Sequence, residues 1–273
     1  MKYYDLKTAQ LTYEKENKGL KFLYNNIIGR FILKIITLKQ IVNLYALYQD
    51  SFLSKHKIKK FIKKNHINMD DYVAKNYKSF NDFFKRQIKP EKRVIEDGFI
   101  APCDAKLSVY KINKDLTLNI KNSIYTIDEL IQDKCDIKDG YALVYRLGVT
   151  DYHHYIFPFN GKITKTKFIK GKLHTVQPIA LKKYKVFSEN SRVVTEVESE
   201  YGKAIIIEVG AMMIGRIVNE NITTFTKGME KGHFEFGGST IIYLISNVKI
   251  NEKILSNTKE DIETIIKMGE CIE

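Results

Sequence analysis

The period of the apolar positions changes near residue 90, and that change divides the chain in two. From Leu20 to Tyr48 the sequence reads LKFLYNNIIGRFILKIITLKQIVNLYALY, with apolar residues at helical spacing and Arg30, Lys34 and Lys39 interrupting them. This spacing predicts one or two amphipathic helices. Two settings suit them: the interface of an anionic membrane, or the protein's own core. Residues 51–78 continue as a polar helical region whose densest basic patch is Lys59, Lys60, Lys63 and Lys64, with His56 and His66 expected at the surface. Ser79-Phe80-Asn81-Asp82 has the form of a capping box opening a short helix through Phe84, and Pro90 closes this part.

After Pro90 short β-rich runs alternate with turn residues: VIEDGFIAPCDAKLSVYKI, LTLNIKNSIYTIDELI, GYALVYRLGV, YIFPFNGKITKTKFIKGKL, RVVTEVESEYGKAIIIEVG and STIIYLI. The pattern predicts a mostly antiparallel sheet. Helical stretches are too few for a βαβ fold, and neither GxGxxG nor GxxxxGK[ST] occurs, which argues against nucleotide binding through those loops. The expected class is α+β, with a helical, basic region over 1–90 and a mainly antiparallel β domain over 91–273.

Composition adds four constraints. With 273 residues, 44% of them apolar, the chain can bury a real core. No apolar run reaches the roughly 18 residues of a spanning helix, and MKYYDLKTAQ lacks the apolar centre of a signal peptide, so a cytosolic location or the cytosolic face of a membrane is expected. Cys103, Cys135 and Cys271 form no CxxC, which argues against a disulfide framework or a cysteine-based zinc site. The net charge of +13 favours an anionic partner, either nucleic acid or acidic lipid. Nucleic-acid binding would need aromatics interleaved with lysines on one face, whereas the 17 tyrosines are scattered.

The stretch with the most chemistry is Phe234-Glu235-Phe236-Gly237-Gly238-Ser239-Thr240, running into Ile241-Ile242-Tyr243-Leu244-Ile245. Such a string is an ordinary turn entering a strand, and it is also the arrangement an N-to-O acyl shift needs. The glycines leave the Gly238 carbonyl open to close approach, and Ser239 supplies a hydroxyl one bond downstream. The ester so formed can eliminate to dehydroalanine, which hydrolyses to a pyruvoyl group and ammonia. An ordinary serine hydrolase is disfavoured because no GxSxG elbow is present.

Further stretches fall in a recognisable order. They include FFKRQIKP, the Pro-x-Asp turn at Asp104, Asp151-Tyr152-His153, Phe187-x-x-Asn190-x-Arg192, Val209-Gly210-Ala211 and KGMEKGHFEFGGST. From about Phe83 to Glu270 the chain resembles the phosphatidylserine decarboxylase family. The resemblance implies a proenzyme that cleaves itself between Gly238 and Ser239, giving fragments 1–238 and 239–273 that stay together as a heterodimer and can assemble further. It also implies a covalent pyruvoyl cofactor derived from Ser239, decarboxylation of phosphatidylserine to phosphatidylethanolamine, and no requirement for a metal. Residues 1–90 would then associate with an anionic membrane, peripherally and on its cytoplasmic side.

Within this resemblance Ser239 and Asp104 match directly, Asp104 as one half of an Asp–His pair that activates the serine. His153 matches the histidine near the substrate, with His154 beside it as a second substrate-binding candidate. Where the family carries a further histidine as cleavage base this chain has Ile156, and His174 in Leu-His-Thr-Val-Gln-Pro is the expected substitute. The same departure motivates an alternative: a non-catalytic, unprocessed, membrane-binding relative.

Overall fold

The computed structural model describes residues 1–273 apart from 15–16, 114–116, 121–122, 136, 138 and 214. Its strands are β1 (Lys2–Asp5), β2 (Gln10–Tyr13), β3 (Ala105–Lys111), β4 (Thr117–Ile120), β5 (Ser123–Thr126), β6 (Tyr141–Leu147), β7 (His154–Ile156), β8 (Gly161–Ile169), β9 (Arg192–Ser199), β10 (Gly202–Met213), β11 (Ile217–Asn219), β12 (Thr224–Phe225), β13 (Glu230–Phe234), β14 (Gly237–Ile245) and β15 (Ile262–Ile266). Ten of them form one sheet in the order β12-β8-β9-β10-β14-β6-β3-β15-β1-β2. A small sheet, β11-β13-β7, lies over part of one face, and β4 and β5 pair separately.

The β10 and β14 sequences dictate this layering. AIIIEVGA and STIIYLI are apolar on both faces, as a strand covered on both sides must be. Ile242 and Leu244 of β14 join one core with Tyr24, Leu130, Leu181 and Phe187 from the helical side. Ile241, Tyr243 and Ile245 join a second core with Tyr155, Phe157 and Phe234 from the small sheet. Side chains alternate across a strand, so Ser239 belongs to the second face, between the two sheets.

The N-terminal part is α+β in itself. Three helices, α1 (Lys18–Asn25), α2 (Ile27–Ile36) and α3 (Lys39–Asp50), occupy the amphipathic stretch expected to hold one or two, because Asn26 caps α2 directly after α1. Residues 2–13, inside the region expected to be helical, instead form the β1–β2 hairpin, with β1 parallel to β15. That pairing is invisible locally because its partner lies some 260 residues away. Over 51–78 the α-helix is confined to α4 (Lys57–Asn65), which closes at His66 with a left-handed φ of 51°. Ser79 caps α5 (Phe80–Phe84) by accepting the Asp82 N–H at 3.1 Å, but the Asp82 carboxylate takes the N–H of Lys78 instead of that of Ser79. The capping box is therefore half formed.

The helices α1 to α3 turn little of their apolar surface inward. Tyr24, Gly29, Leu33, Val42 and Ala46 are buried, whereas Phe22, Ile27, Ile28, Phe31, Ile35, Leu38, Leu44 and Leu47 are exposed. Among the described residues no helix is long and apolar enough to cross a membrane.

Candidate active site

Ser239 sits in the middle of the ten-stranded sheet, opposite Gly210 of β10 on one side and Leu147 of β6 on the other. Gly237 enters the strand at φ +149°, beside a register shift between Gly210 and Met213. That backbone conformation is one that glycine adopts without penalty. At Gly210 a Cβ would lie 2.4 Å from the Gly215 carbonyl oxygen, so the close approach beside Ser239 requires glycine. The Ser239 side chain is buried, and its Oγ has no hydrogen-bond partner among the described residues. A buried hydroxyl without a partner is costly; Ser239 shares this with neighbours such as Thr240 and Tyr243, and differs from them in following two glycines.

Asp104 lies two strands away, just ahead of β3. Arg146 pairs with Thr240 on one side and with Lys106 on the other, so Asp104 is level with Gly238 across about two strand spacings, roughly 10 Å. Its carboxylate is held by Arg93 (Nε at 2.9 Å, with a second contact from the guanidinium), the Met268 N–H (2.9 Å) and Lys267 Nζ (3.3 Å). Burial pushes its pKa up, but the Arg93 bond, the charges of Lys267 and Arg93 and the Met268 N–H outweigh it and hold the carboxyl below the usual range. No histidine is among these partners. The reason is visible at residue 156, whose N–H donates to the Pro102 carbonyl (2.9 Å) beside the Asp104 turn. The side chain there is Ile156, buried with Tyr72, Ile100, Tyr152 and Met268. The structure thus places no Asp–His pair at Asp104, and cations take the vacant role.

His153 is fully buried immediately before β7, and its carbonyl accepts the Phe234 N–H at 2.9 Å, five residues before Ser239. Its ring rests on Phe84 (centroids 4.3 Å apart), which in turn meets Phe236 at 5.2 Å. Nδ1 lies 2.8 Å from the Asp151 carbonyl oxygen. A carbonyl only accepts, so Nδ1 carries the proton and Nε2 keeps a lone pair. That Nε2 is buried with no partner among the described residues. Burial lowers the pKa to about 4, so the ring is neutral at physiological pH.

His154 points to the opposite side of β7. Its Nδ1 lies 2.7 Å from Glu230 Oε1 and its Nε2 3.2 Å from the Lys85 carbonyl oxygen, with Tyr152 and His233 stacked on its two faces. It is not turned toward Ser239, because successive strand residues face opposite ways. His174 is also kept apart. Its ring stacks on Tyr184 at 4.3 Å and meets the Tyr24 hydroxyl at 3.4 Å, among residues of the first core, on the other face of the sheet from the Ser239 side chain. Asn190 secures that loop: it accepts the His174 N–H (3.0 Å) and donates to the carbonyls of His174 and Gly210 (both 2.8 Å).

The sequence profile of the phosphatidylserine decarboxylase family matches residues 80–272. The chain belongs to the phosphatidylserine decarboxylase family. It is 46% identical over 98% of its length to a protein from Clostridium acetobutylicum named phosphatidylserine decarboxylase proenzyme 2, covering 96% of that protein. Proteins named phosphatidylserine decarboxylase proenzyme from Ruminiclostridium cellulolyticum (36% identical; 98% of this chain and 96% of theirs) and Fusobacterium nucleatum (35%; 99% and 96%) are similar over equal spans. The family is one of carboxy-lyases made as proenzymes, and an enzyme of that type is what the α+β architecture carries.

Two further features of this decarboxylase-family site escape a reading of motifs. A cavity of about 840 Å³ reaches Leu147, Gly148, Phe236 and Gly237, beside and ahead of Ser239, though Ser239, His153 and Asp104 do not line it; Leu20, Val176 and Met212 place most of it on the first-core side, where Lys21 and Lys182 also line it. Glu208, on the Ser239 face of β10 and opposite Ile241, is wholly buried and paired at 2.5 Å with Lys231 of the small sheet. Burial raises the Glu208 pKa even against the Lys231 charge. The signal for it is a lone carboxylate inside Ile205-Ile206-Ile207-Glu208-Val209, a charge that no apolar strand carries without a partner.

Proposed function

We propose that this chain is a phosphatidylserine decarboxylase proenzyme that cleaves itself at Gly238–Ser239 and produces phosphatidylethanolamine. The observation that carries the reading is the buried, unpartnered Ser239 hydroxyl following two glycines, in a chain whose family is made as proenzymes. Attack of Ser239 Oγ on the Gly238 carbonyl exchanges the amide for an ester. Loss of the Ser239 α-proton then expels the Gly238 carboxylate, and hydrolysis of the dehydroalanine releases ammonia.

The residues fit the resulting group in that Ser239 is buried on the face between the two sheets, its hydroxyl without a partner among the described residues. A pyruvoyl group at residue 239 supplies an electron-withdrawing carbonyl through which the substrate's amine-bearing carbon can lose carbon dioxide. His153, neutral and with its Nε2 lone pair free, accepts and returns the proton in this dry enclosure, and Phe84 and Phe236 fix its ring. The cavity is of small-molecule size, and Lys21 and Lys182 give it positive charge suited to a phosphate-bearing headgroup. Because α1 both lines this cavity and exposes Phe22, the apolar faces of α1 to α3 dock peripherally on the cytoplasmic side of an anionic membrane and deliver lipid to it.

The intact mass of the purified protein under denaturing conditions tests the reading. Two fragments divided at 238/239, with carbon dioxide released from phosphatidylserine vesicles, are expected, and Ser239→Ala should abolish both. An active, uncleaved Ser239→Ala protein would overturn it. Ile156, a buried apolar residue where the resemblance implies a base, favours a second reading, the unprocessed membrane-binding relative. A single whole-chain mass with vesicle binding and no carbon dioxide release would select that one.

A further inference from the structure

Among the described residues, one group of histidine and carboxylate side chains converges without belonging to the Ser239 chemistry. His154 of β7 and His233 of β13 are directly opposite each other across the small sheet, and Glu230 stands three residues before His233 on the same strand. One ligand atom from each lies within 4.8 Å of the other two. We propose that His154, Glu230 and His233 form a binding site for a divalent transition-metal ion, with Zn²⁺ the best match to two imidazoles and one carboxylate. The site is separate from the decarboxylation proposed above and requires no metal in that reaction.

The donor pattern around His154 carries the argument. The Lys85 carbonyl at 3.2 Å from Nε2 can only accept, so Nε2–H makes that bond and Nδ1 is the nitrogen available to a metal ion. Nδ1 then faces Glu230 Oε1, a second acceptor, at 2.7 Å. At that distance a proton on Nδ1 bridges the pair in the metal-free protein, and a metal ion would take that proton's place. A histidine whose far nitrogen is tied to a backbone carbonyl is also the usual outer support of a metal-ligating imidazole. Tyr152 stacked at 4.9 Å holds the ring plane, and the His233 ring, also at 4.9 Å, supplies the third donor.

Ion entry and closure are both open. The His154 side chain is 7% exposed but that of Glu230 is 42% exposed, so an ion reaches the buried nitrogen from solvent along the carboxylate. The spacing of about 3.3 Å found around tetrahedral zinc is reached if the 2.7 Å His154–Glu230 pair opens slightly and the wider pairs, within 4.8 Å, close by up to about 1.5 Å. The partly exposed Glu230 and His233 side chains can make these movements. The nearby Lys85 ammonium is drawn off toward Glu235 at 3.4 Å. A bound ion would tie β7 to β13, the strand that runs directly into Gly237–Ser239.

The test uses the full-length protein stripped with chelator and titrated with Zn²⁺ by calorimetry, then with Co²⁺ for its visible absorption. All three ligands lie before residue 239, so the result does not depend on self-cleavage or on carbon dioxide release. One Zn²⁺ per chain is expected, with tetrahedral Co²⁺ bands. His233→Ala and Glu230→Gln alter partly exposed side chains and should each weaken binding more than ~100-fold, since loss of an outer partner alone costs ~10–100-fold. No stoichiometric site in the wild type, or unchanged affinity in either variant, would overturn the proposal; in the wild type His154 and Glu230 would then share a proton.

Discussion

At the scale of single residues, the molecule separates charges that hold it together from polar atoms left open. Asp104 illustrates the first kind, since its four contacts to Arg93, Lys267 and the Met268 N–H depend on the ionised form. Its folded pKa is lowered, so its contribution is complete above the unfolded value of about 3.9 and disappears as pH falls through the folded value. Urea unfolding between pH 7 and pH 3 should therefore show a steeper acid loss for the wild type than for Asp104→Asn; equal slopes would contradict the assignment. The Glu208–Lys231 pair makes a different prediction. Lys231→Met strands a buried carboxylate and should cost about 3–5 kcal/mol, whereas adding Glu208→Gln should recover most of it. A double-mutant cycle in urea measures both.

Elements decide which surfaces face water and which face a partner. In α2 the register that buries Gly29 and Leu33 leaves Ile27, Ile28, Phe31 and Ile35 outside, the reverse of what a core-packed helix does. Replacing Ile28 and Phe31 by glutamate should reduce co-sedimentation with anionic vesicles at least ~10-fold, while thermal stability moves by less than ~0.5 kcal/mol because both are exposed. Unchanged binding would remove these helices from the membrane reading. The same scale explains why the Ser79 cap was legible and its completion was not. A serine three residues before an acid marks a helix start, but Asp82 also meets Lys75 at 2.7 Å and the Lys78 N–H, and these partners redirect its carboxylate.

For the whole molecule, chain order and spatial order diverge most at the cleavage point. Residues 239–273 supply nearly all of β14, which lies between β10 and β6, and all of β15, which lies between β3 and β1. A cleaved 35-residue fragment would remain hydrogen-bonded to the larger one on both edges of both strands. The two fragments should co-elute in native size exclusion and separate only in denaturant. Release of the small fragment under native conditions would show that the sheet order is wrong.

The period change at residue 90, the helices over 20–48 and strands β6, β8, β9, β10 and β14 were all legible in the sequence, because each depends on neighbours a few residues apart. Hydrophobic periodicity and glycine placement are local signals. Strands β1, β2 and β15 were not legible, since pairing with distant residues overrides weak local preference. The histidine assignments needed the tertiary structure for the same kind of reason. Spacing alone made His174 a substitute base, but which side of the central sheet a loop packs against put its ring with Tyr24 and Tyr184, away from Ser239. Sequence fixes which groups are available; packing sets which of them meet, because burial and strand alternation act between residues that are remote along the chain.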